Sequence, residues 1–150
     1  MVYAVIDTNV LLSALITKNP QSATIKVIES MLQGDIIPLY HADIIHEYGE
    51  VLRRDKFHVD EALIQSMLGF IVENGVEVFP QPTGEILIDI DDLIFYEVAM
   101  EKREDRSYLV TGNQKHFPQK DFIVTPAEMM DILHEAERDA SGSTSFDKQF

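Results

Sequence analysis

The stretch Val2-Tyr3-Ala4-Val5-Ile6-Asp7-Thr8-Asn9-Val10-Leu11-Leu12 decides the fold of this chain. Its first five residues are apolar and partly β-branched, which is typical of a buried strand. An acid, a hydroxyl and an amide follow in succession, and apolar residues then return at positions that favour a helix. A carboxylate at the carboxyl end of a buried strand lies where open α/β sheets bind ligands. The alternative is that Asp7 only caps the helix, a role for which Asp is well suited.

Length and composition indicate a soluble protein built on one domain. The chain has 150 residues, enough to bury a core without disulfides, and it contains no cysteine. No apolar run approaches the roughly 20 residues of a membrane span, and the N-terminus lacks the basic region of a signal peptide. We therefore expect a cytoplasmic protein, with a domain over residues 1–140 and a flexible Ser/Gly/Thr-rich tail over residues 141–150.

The formal net charge of −14 argues against broad electrostatic binding to nucleic acid, which requires many Lys and Arg side chains on phosphates. Two interpretations of the 26 acidic residues remain. In the first, they form a solvated surface that keeps the protein soluble, and this applies to most of them. In the second, a few of them converge and hold hard cations, which reverse the local field.

Strand patterns and helix patterns alternate along the chain. After the opening strand and helix, further strands are predicted at residues 36–40, 76–79, 107–111 and 122–124. Apolar stripes at helical spacing predict helices over residues 21–33, 42–54, 60–73 and 91–103. Thr125 and Glu128 form a capping box that begins the last helix. The order β-α-α-β-α-α-β-α-β-β-α predicts a three-layer α/β/α sandwich around a mostly parallel sheet.

Two segments of this pattern are less regular. Pro38 lies inside the predicted strand 36–40, which favours an edge strand or a bulge there. The apolar run Ile86-Leu87-Ile88 precedes the acidic run Asp89-Ile90-Asp91-Asp92. We expect residues 86–88 to extend towards the sheet before the next helix begins.

Separate polar side chains are expected to meet at one edge of the sheet, because parallel strands place their carboxyl ends together. Asp7 ends the first strand, Glu47 lies early in the helix after the second, and Asp92 opens a helix near the edge. Asn113 follows Thr111 after a later strand. Carboxylate oxygens suit Mg²⁺ or Mn²⁺. Such a cation polarises a phosphoryl oxygen, so the pattern indicates hydrolysis of a phosphodiester.

Helical geometry separates the two acids of the helix over residues 42–54. At about 100° per residue, Glu47 lies beside Ile44 and Val51, at the margin of the buried stripe. Glu50 lies on the polar side, so Glu47 is the functional candidate. Simpler roles remain open: Glu47 as a solvated acid, and Asp92 as an N-cap that complements the helix dipole.

Four segments resemble, in their order and spacing, the motifs of a PIN domain. They are Asp7-Thr8-Asn9-Val10-Leu11, Ile44-Ile45-His46-Glu47-Tyr48, Asp91-Asp92-Leu93-Ile94-Phe95, and Leu109-Val110-Thr111-Gly112-Asn113 with His116-Phe117-Pro118. Each motif alone is weak, and the four in order are a stronger signal. The resemblance covers about residues 1–135, and it is greatest to the bacterial and archaeal toxin components called VapC-type proteins.

The resemblance implies an α/β/α fold and Mg²⁺-dependent endoribonuclease activity on single-stranded RNA, with an antitoxin and a second copy of the chain as partners. The residues that match the family are the metal-binding carboxylates Asp7, Glu47 and Asp92, the residues Thr8 and Asn9 that steady Asp7, and the hydroxyl of Thr111. Asn113 departs from the family, because many PIN domains have a further acid there. An amide can orient water, but it brings no charge to a metal.

Two other functions stay open from the sequence. A phospho-receiver domain also gathers acids at strand ends, with a hydroxyl such as Thr111 after a later strand, but Thr125 stands where a lysine is expected. A catalytically weak PIN-like binding module would fit Asn113 and the net charge of −14. If the chain does bind RNA, local phosphate contacts are expected from five basic residues: Lys18, Arg53, Arg54, Lys115 and Lys120. For His116, in the loop after Asn113, three roles stay open: a structural role, a phosphate contact, or a role as an acid.

Overall fold

The computed structural model describes the backbone of residues 2–147 and the side chains of residues 2–139. The strands are β1 (Val2–Ile6), β2 (Ile36–Tyr40), β3 (Val76–Glu77), β4 (Ser107–Val110) and β5 (Ile123–Val124). The helices are α1 (Thr8–Ile16), α2 (Ala23–Leu32), α3 (Ala42–Leu52), α4 (Glu61–Asn74), α5 (Leu93–Glu101) and α6 (Pro126–Asp147). This order of strands and helices confirms the prediction from the sequence pattern.

The five strands form one parallel sheet in the order β3-β2-β1-β4-β5. Ala4, Val5 and Ile6 of the central strand β1 are each at most 1% exposed. Because successive side chains of a strand point to opposite faces, both faces of the sheet are covered. The predicted three-layer α/β/α architecture is therefore confirmed, and the carboxyl ends of all five strands lie along one edge.

Strand β2 is an inner strand, so the prediction that Pro38 marks an edge or a bulge is wrong. Pro38 pairs with Ala4 of β1, whereas β3 pairs with β2 only from Leu39 onwards. The β2–β3 pair therefore loses no hydrogen bond, although Pro38 has no N–H to donate. A proline is tolerated inside the sheet because its outer neighbour is so short.

Residues 86–88 do not extend into the sheet, which corrects the expectation from their apolar sequence. The exposed fractions of Ile86 and Ile88 are 94% and 80%. The chain before them is held by α5 instead, since Glu97 accepts hydrogen bonds from the backbone N–H and the hydroxyl of Thr83. The apolar run predicted an extension towards the sheet, but the carboxylate of Glu97 on α5 holds the preceding loop instead.

Helix α6 begins at the predicted capping box. Thr125 N–H donates to Glu128 Oε1 at 2.9 Å, and Glu128 N–H donates back to Thr125 Oγ1 at 3.1 Å. The helix backbone runs through Asp147, past the predicted domain boundary at residue 140. Residues 148–150 of the predicted tail lie outside the described residues, and the flexibility of 141–150 stays a prediction. None of the described helices is long and apolar enough to cross a membrane.

Candidate active site

The register of two parallel strands brings Asp7 and Thr111 together. Ile6 of β1 pairs with Val110 of β4, and Asp7 N–H donates to the Val110 carbonyl oxygen at 2.9 Å. The residues that follow the paired strands are therefore neighbours. Thr111 Oγ1 donates to Asp7 Oδ2 at 2.7 Å, and the two side chains are buried. This hydrogen bond joins residues more than 100 positions apart in the chain.

The carboxylate of Asp7 does not cap helix α1. Asp7 occupies the N-cap position, but its side chain makes no capping hydrogen bond. Burial raises the pKa of Asp7, and the hydroxyl of Thr111 partly offsets this by favouring the charged form. A carboxylate kept rigid and poorly hydrated at a strand end is suited to bind a cation rather than to complete a helix.

Glu47 lies beside Asp7 and is held by the residue that follows Asp7. Thr8 Oγ1 donates a hydrogen bond to Glu47 Oε2. Burial raises the pKa of Glu47, and the charges of Asp7, Asp91 and Asp89 add to that effect. This position of Glu47 agrees with the helical geometry, which placed Glu47 at the margin of the buried stripe and Glu50 on the polar side. Glu50 is exposed and faces His46 at 3.5 Å.

The contacts of Thr8 and Asn9 differ from the expectation that both steady Asp7. The hydroxyl of Thr8 braces Glu47, and it reaches Asp7 only through its backbone N–H. Asn9 is exposed, and its side chain makes no hydrogen bond within the described part of the chain. The brace of the Asp7 carboxylate is Thr111, a residue that sequence proximity does not reveal.

Asp92 completes the group of three carboxylates. Its side chain makes no capping hydrogen bond at the start of α5, so the simple N-cap role does not apply. Burial, followed by the charges of Asp7 and Asp89, raises the pKa of Asp92 to about 6, against the opposing effect of His116. His116 Nδ1 lies 3.5 Å from Asp92 Oδ2, so the loop histidine contacts the site.

Replacing Asp92 with Asn is expected to stabilise the protein at neutral pH in the absence of divalent cations. The Asp92 carboxyl binds its proton more tightly in the folded protein than in the unfolded chain, where its pKa is 3.8. Its favourable contribution is therefore complete below pH 3.8 and is lost as the pH rises through about 6. At pH 7 the D92N protein should gain about 1–2 kcal/mol in urea unfolding with EDTA present.

The matched control is Asp131→Asn, which removes one charge from an exposed position on α6. It should leave the free energy of unfolding within about 0.5 kcal/mol of the wild type at each pH. The Asp92 effect should also disappear near pH 4. A gain for D92N that is equally large at pH 4 and pH 7 would contradict the assigned electrostatic cause.

Asn113 contributes to the site through its backbone. Its N–H donates to Thr111 Oγ1 at 3.0 Å, so the threonine hydroxyl accepts from Asn113 and donates to Asp7. The residue is exposed, and its side chain has no hydrogen bond within the described part of the chain. Asn113 orients the hydroxyl that holds Asp7, and it adds no charge to the carboxylate group.

Tyr48 supports the site, although the sequence assigned it no role beyond its place in the motif Ile44-Ile45-His46-Glu47-Tyr48. Its buried hydroxyl donates to the carbonyl oxygen of Ile6, the residue before Asp7. Burial raises the pKa of Tyr48, with Asp7 and Glu47 adding to the effect, so the hydroxyl remains a donor. The signal that could have found it is a phenol on the buried stripe of α3, one residue after Glu47.

The charge of Asp7 raises the pKa of both Glu47 and Asp92, but the three carboxylates are not drawn into a compact cluster. Among the described residues, no group of three or more Asp, Glu, His or Cys side chains has the geometry of a metal site. Mg²⁺ is commonly bound by one or two carboxylates together with water. Asp7, Glu47 and Asp92 therefore fit a hard divalent cation by donor type and by the repulsion that a cation would relieve.

Basic side chains line two cavities, one of which also contains a candidate carboxylate. A cavity of about 570 Å³ is lined by Glu47 and Asp91 together with His46 and Arg54. A second cavity of about 430 Å³ is lined by Lys115 and Lys120, next to the His116 loop. Arg53 is engaged elsewhere, in an ion pair with Glu61 at 2.8 Å on the surface. Of the predicted basic residues, Arg54 therefore lines a cavity together with a candidate carboxylate, whereas Lys115 and Lys120 line the other cavity.

Comparison with known proteins agrees with this architecture. The profile of the PIN domain family matches residues 3–115, and none of the curated proteins compared with the chain matches it. A solved structure described as "Structure of FitAB bound to IR36 DNA fragment" is similar in fold, with a TM-score of 0.50 and 18% sequence identity. The similarity covers 82% of this chain and 94% of that chain. With the family profile spanning three quarters of its length, this chain belongs to the PIN domain family.

Proposed function

We propose that this protein is a divalent-metal-dependent endoribonuclease that hydrolyses single-stranded RNA. PIN domains are generally nucleases, which supports phosphodiester cleavage. The observation that carries the proposal is that Asp7, Glu47 and Asp92 lie at the carboxyl edge of the sheet, near enough for the charge of Asp7 to raise the pKa of the other two. Each has a pKa raised by burial, and each is exposed to the charge of another member. A cation among these three would remove that repulsion.

Asp7, Glu47 and Asp92 would hold the metal, and Mg²⁺ or Mn²⁺ suits their oxygen atoms. When bound, such an ion supplies positive charge that polarises a phosphoryl oxygen and makes water more acidic. Thr111 fixes one oxygen of Asp7, and Thr8 fixes one oxygen of Glu47. These hydroxyls keep the carboxylates in one orientation before any ligand arrives, which limits reorganisation during the reaction.

Substrate phosphates would contact the basic side chains that line these two cavities. Lys115 and Lys120 line one cavity, and Arg54 lines the other. Few such contacts are offered, and the total charge is −14, so RNA binding should be weak and local. Single-stranded RNA is the proposed substrate because unpaired RNA offers splayed-out bases to a protein site, whereas duplex RNA is recognised mostly by its shape.

Cleavage of a single-stranded RNA is expected with Mg²⁺ or Mn²⁺ and not with EDTA. The purified protein would be incubated with an end-labelled RNA of mixed sequence, and the products resolved by electrophoresis. Adding Mn²⁺ after EDTA should restore cleavage. This result would show that EDTA acts by removing the metal and not by inhibiting the protein in another way. If no RNA is cleaved with either metal, and calorimetry detects no Mn²⁺ binding, the protein is a PIN-like binding module instead.

The strand order of the sheet argues against the phospho-receiver alternative. Receiver domains of the flavodoxin-like type have the strand order 2-1-3-4-5, whereas this sheet runs β3-β2-β1-β4-β5. The PIN domain match over residues 3–115 agrees with that difference. A cytoplasmic location, a role as the toxin of a toxin–antitoxin pair, an antitoxin partner and a homodimer remain part of the proposal, on the resemblance to VapC-type proteins.

A further inference from the structure

The cavity of about 430 Å³ next to the His116 loop contains polar groups that phosphate contacts alone do not account for. Its volume is within the roughly 300–1,000 Å³ of ligand sites in proteins. Lys115 and Phe117 line it, and they are the chain neighbours of His116, whose Nδ1 lies 3.5 Å from Asp92 Oδ2. One short loop therefore contacts a candidate metal ligand and forms a wall of this cavity, which we call the loop cavity.

The side-chain amide of Gln114, which lines the loop cavity, is held so that only its oxygen remains for a ligand. Its Nε2 donates to the carbonyl oxygen of Ile123 at 3.0 Å and to Glu128 Oε1 at 3.1 Å. A side-chain amide has two N–H donors, and these two hydrogen bonds use both of them. Within the described part of the chain, Gln114 Oε1 accepts no hydrogen bond. Gln114 therefore offers an acceptor and no donor.

Glu128 offers a second acceptor next to the first. Its Oε1 accepts from the backbone N–H of Thr125 at 2.9 Å as well as from Gln114. Hydrogen bonds from Thr125, and then from Gln114, lower the pKa of Glu128, so this side chain is a carboxylate at neutral pH. A carboxylate only accepts hydrogen bonds, and Oε2 has no donor among the described residues. The two unused oxygen atoms suit a ligand that has two neighbouring donors.

The charged and apolar lining of the loop cavity indicates the rest of the ligand. Lys115 and Lys120 line it, and neither forms an ion pair within the described residues. Asp121 and Glu128 balance these two charges, so the cavity as a whole does not favour a simple anion. Phe117 adds an apolar wall, against which a planar ring can pack. A nucleotide combines a phosphate, for the lysines, with a planar base whose edge carries donors.

We propose that the loop cavity binds a guanine base of single-stranded RNA, beside the bond that is cut. This inference rests on the proposed nuclease function and names the base that the site prefers. The Watson–Crick edge of guanine has two adjacent donors, N1–H and the N2 amino group, which match the acceptors of Gln114 and Glu128. Adenine and cytosine place an acceptor beside their amino group, and uracil has one N–H between two carbonyl oxygens. With these three bases an acceptor would face an acceptor, which weakens binding.

Binding of nucleoside monophosphates in EDTA tests the loop cavity without metal or cleavage. Titrations of the full chain, followed by NMR, compare guanosine monophosphate (GMP) with uridine monophosphate (UMP). The wild type should bind GMP at least about fivefold more tightly than UMP, the discrimination that a pair of hydrogen bonds to a base edge gives. Amide signals of residues 114–121 should shift. Inorganic phosphate is the probe for the lysines alone, and it should bind more weakly than GMP.

Glu128→Gln tests the pair of acceptors. Its Oε1 can still accept from Thr125 and Gln114, so the capping box of α6 is kept, but an amide N–H₂ replaces Oε2. The ratio of GMP to UMP affinity should fall at least about fivefold. The matched control is Glu135→Gln, the same change at an exposed position of α6 that does not line the cavity, and it should keep the wild-type ratio. Circular dichroism should show an unchanged fold for both variants.

An end-labelled RNA with one guanosine in a run of uridines extends the test to cleavage. With Mn²⁺ the wild type should cut next to the guanosine, and Glu128→Gln should cut along the run without that preference. Equal binding of GMP, UMP and phosphate, or an unchanged ratio in Glu128→Gln, would overturn the inference. Even cutting along the run by the wild type would also overturn it and leave the nuclease function intact. If GMP is preferred and no RNA is cut, the guanine site stands and the nuclease function fails.

Discussion

Replacing Asp7 with Asn is expected to reduce RNA cleavage at least about 100-fold and leave the fold intact. Loss of a group that only orients a metal ligand typically costs 10–100-fold, so loss of a ligand itself should cost more. Asn is similar in size to Asp and can still accept the hydrogen bond from Thr111. Because burial raises the pKa of Asp7, the neutral side chain should not destabilise the protein. Cleavage rates and thermal unfolding would be measured together.

The control for this substitution is Asp131→Asn, which makes the same chemical change on the exposed surface of α6. It should retain full cleavage activity. If the protein is a toxin, expression of the wild type should arrest growth of the host cell, and D7N should abolish the arrest. A D7N protein that cleaves RNA at the wild-type rate would rule out Asp7 as a metal ligand.

Replacing Gly75 with Ala is expected to destabilise the protein by about 3 kcal/mol, at the upper end of the cost of overpacking. Gly75 ends helix α4 and precedes β3, and its N–H donates to the Ile71 carbonyl oxygen at 2.8 Å. A Cβ atom here would lie 2.5 Å from the carbonyl oxygen of Pro38 and closer still to that of Ile71. Both obstacles are backbone atoms of the core, which cannot rotate away. Urea unfolding followed by circular dichroism measures the loss.

Gly69 provides an internal control in the same helix. It lies on the exposed side of α4, away from both helix ends, and a Cβ added there would meet nothing within 4 Å. Gly69→Ala should therefore stabilise the protein by about 0.5–1 kcal/mol, since alanine loses less conformational freedom in a helix. The two substitutions are chemically identical and should have opposite signs. Equal effects at the two positions would contradict the steric explanation.

Much of the fold could be predicted because its signals are local. The apolar run before Asp7, the helical stripe of residues 42–54 and the capping box of Thr125 and Glu128 each depend on residues within a few turns of one another. The same helical stripe distinguished Glu47 from Glu50, since burial on one side of a helix follows from its period. Local signals failed at residues 86–88, where an apolar run predicted an extension towards the sheet and the preceding loop is held by Glu97 instead.

The sequence by itself determined the order of strands and helices, and it drew attention to Asp7, Glu47 and Asp92 as candidates. Only the tertiary structure decided how these side chains are held. Thr111 donates to Asp7 because the register of β1 and β4 aligns their ends, and Thr8 at the start of α1 donates to Glu47 on α3. The spacing of apolar residues in a strand or helix depends on neighbouring residues, whereas strand register and helix packing depend on contacts between distant parts of the chain. The opening stretch therefore determined that the carboxylate of Asp7 lies at the end of a buried strand, and the assembled sheet determined that Thr111 is its hydrogen-bond partner.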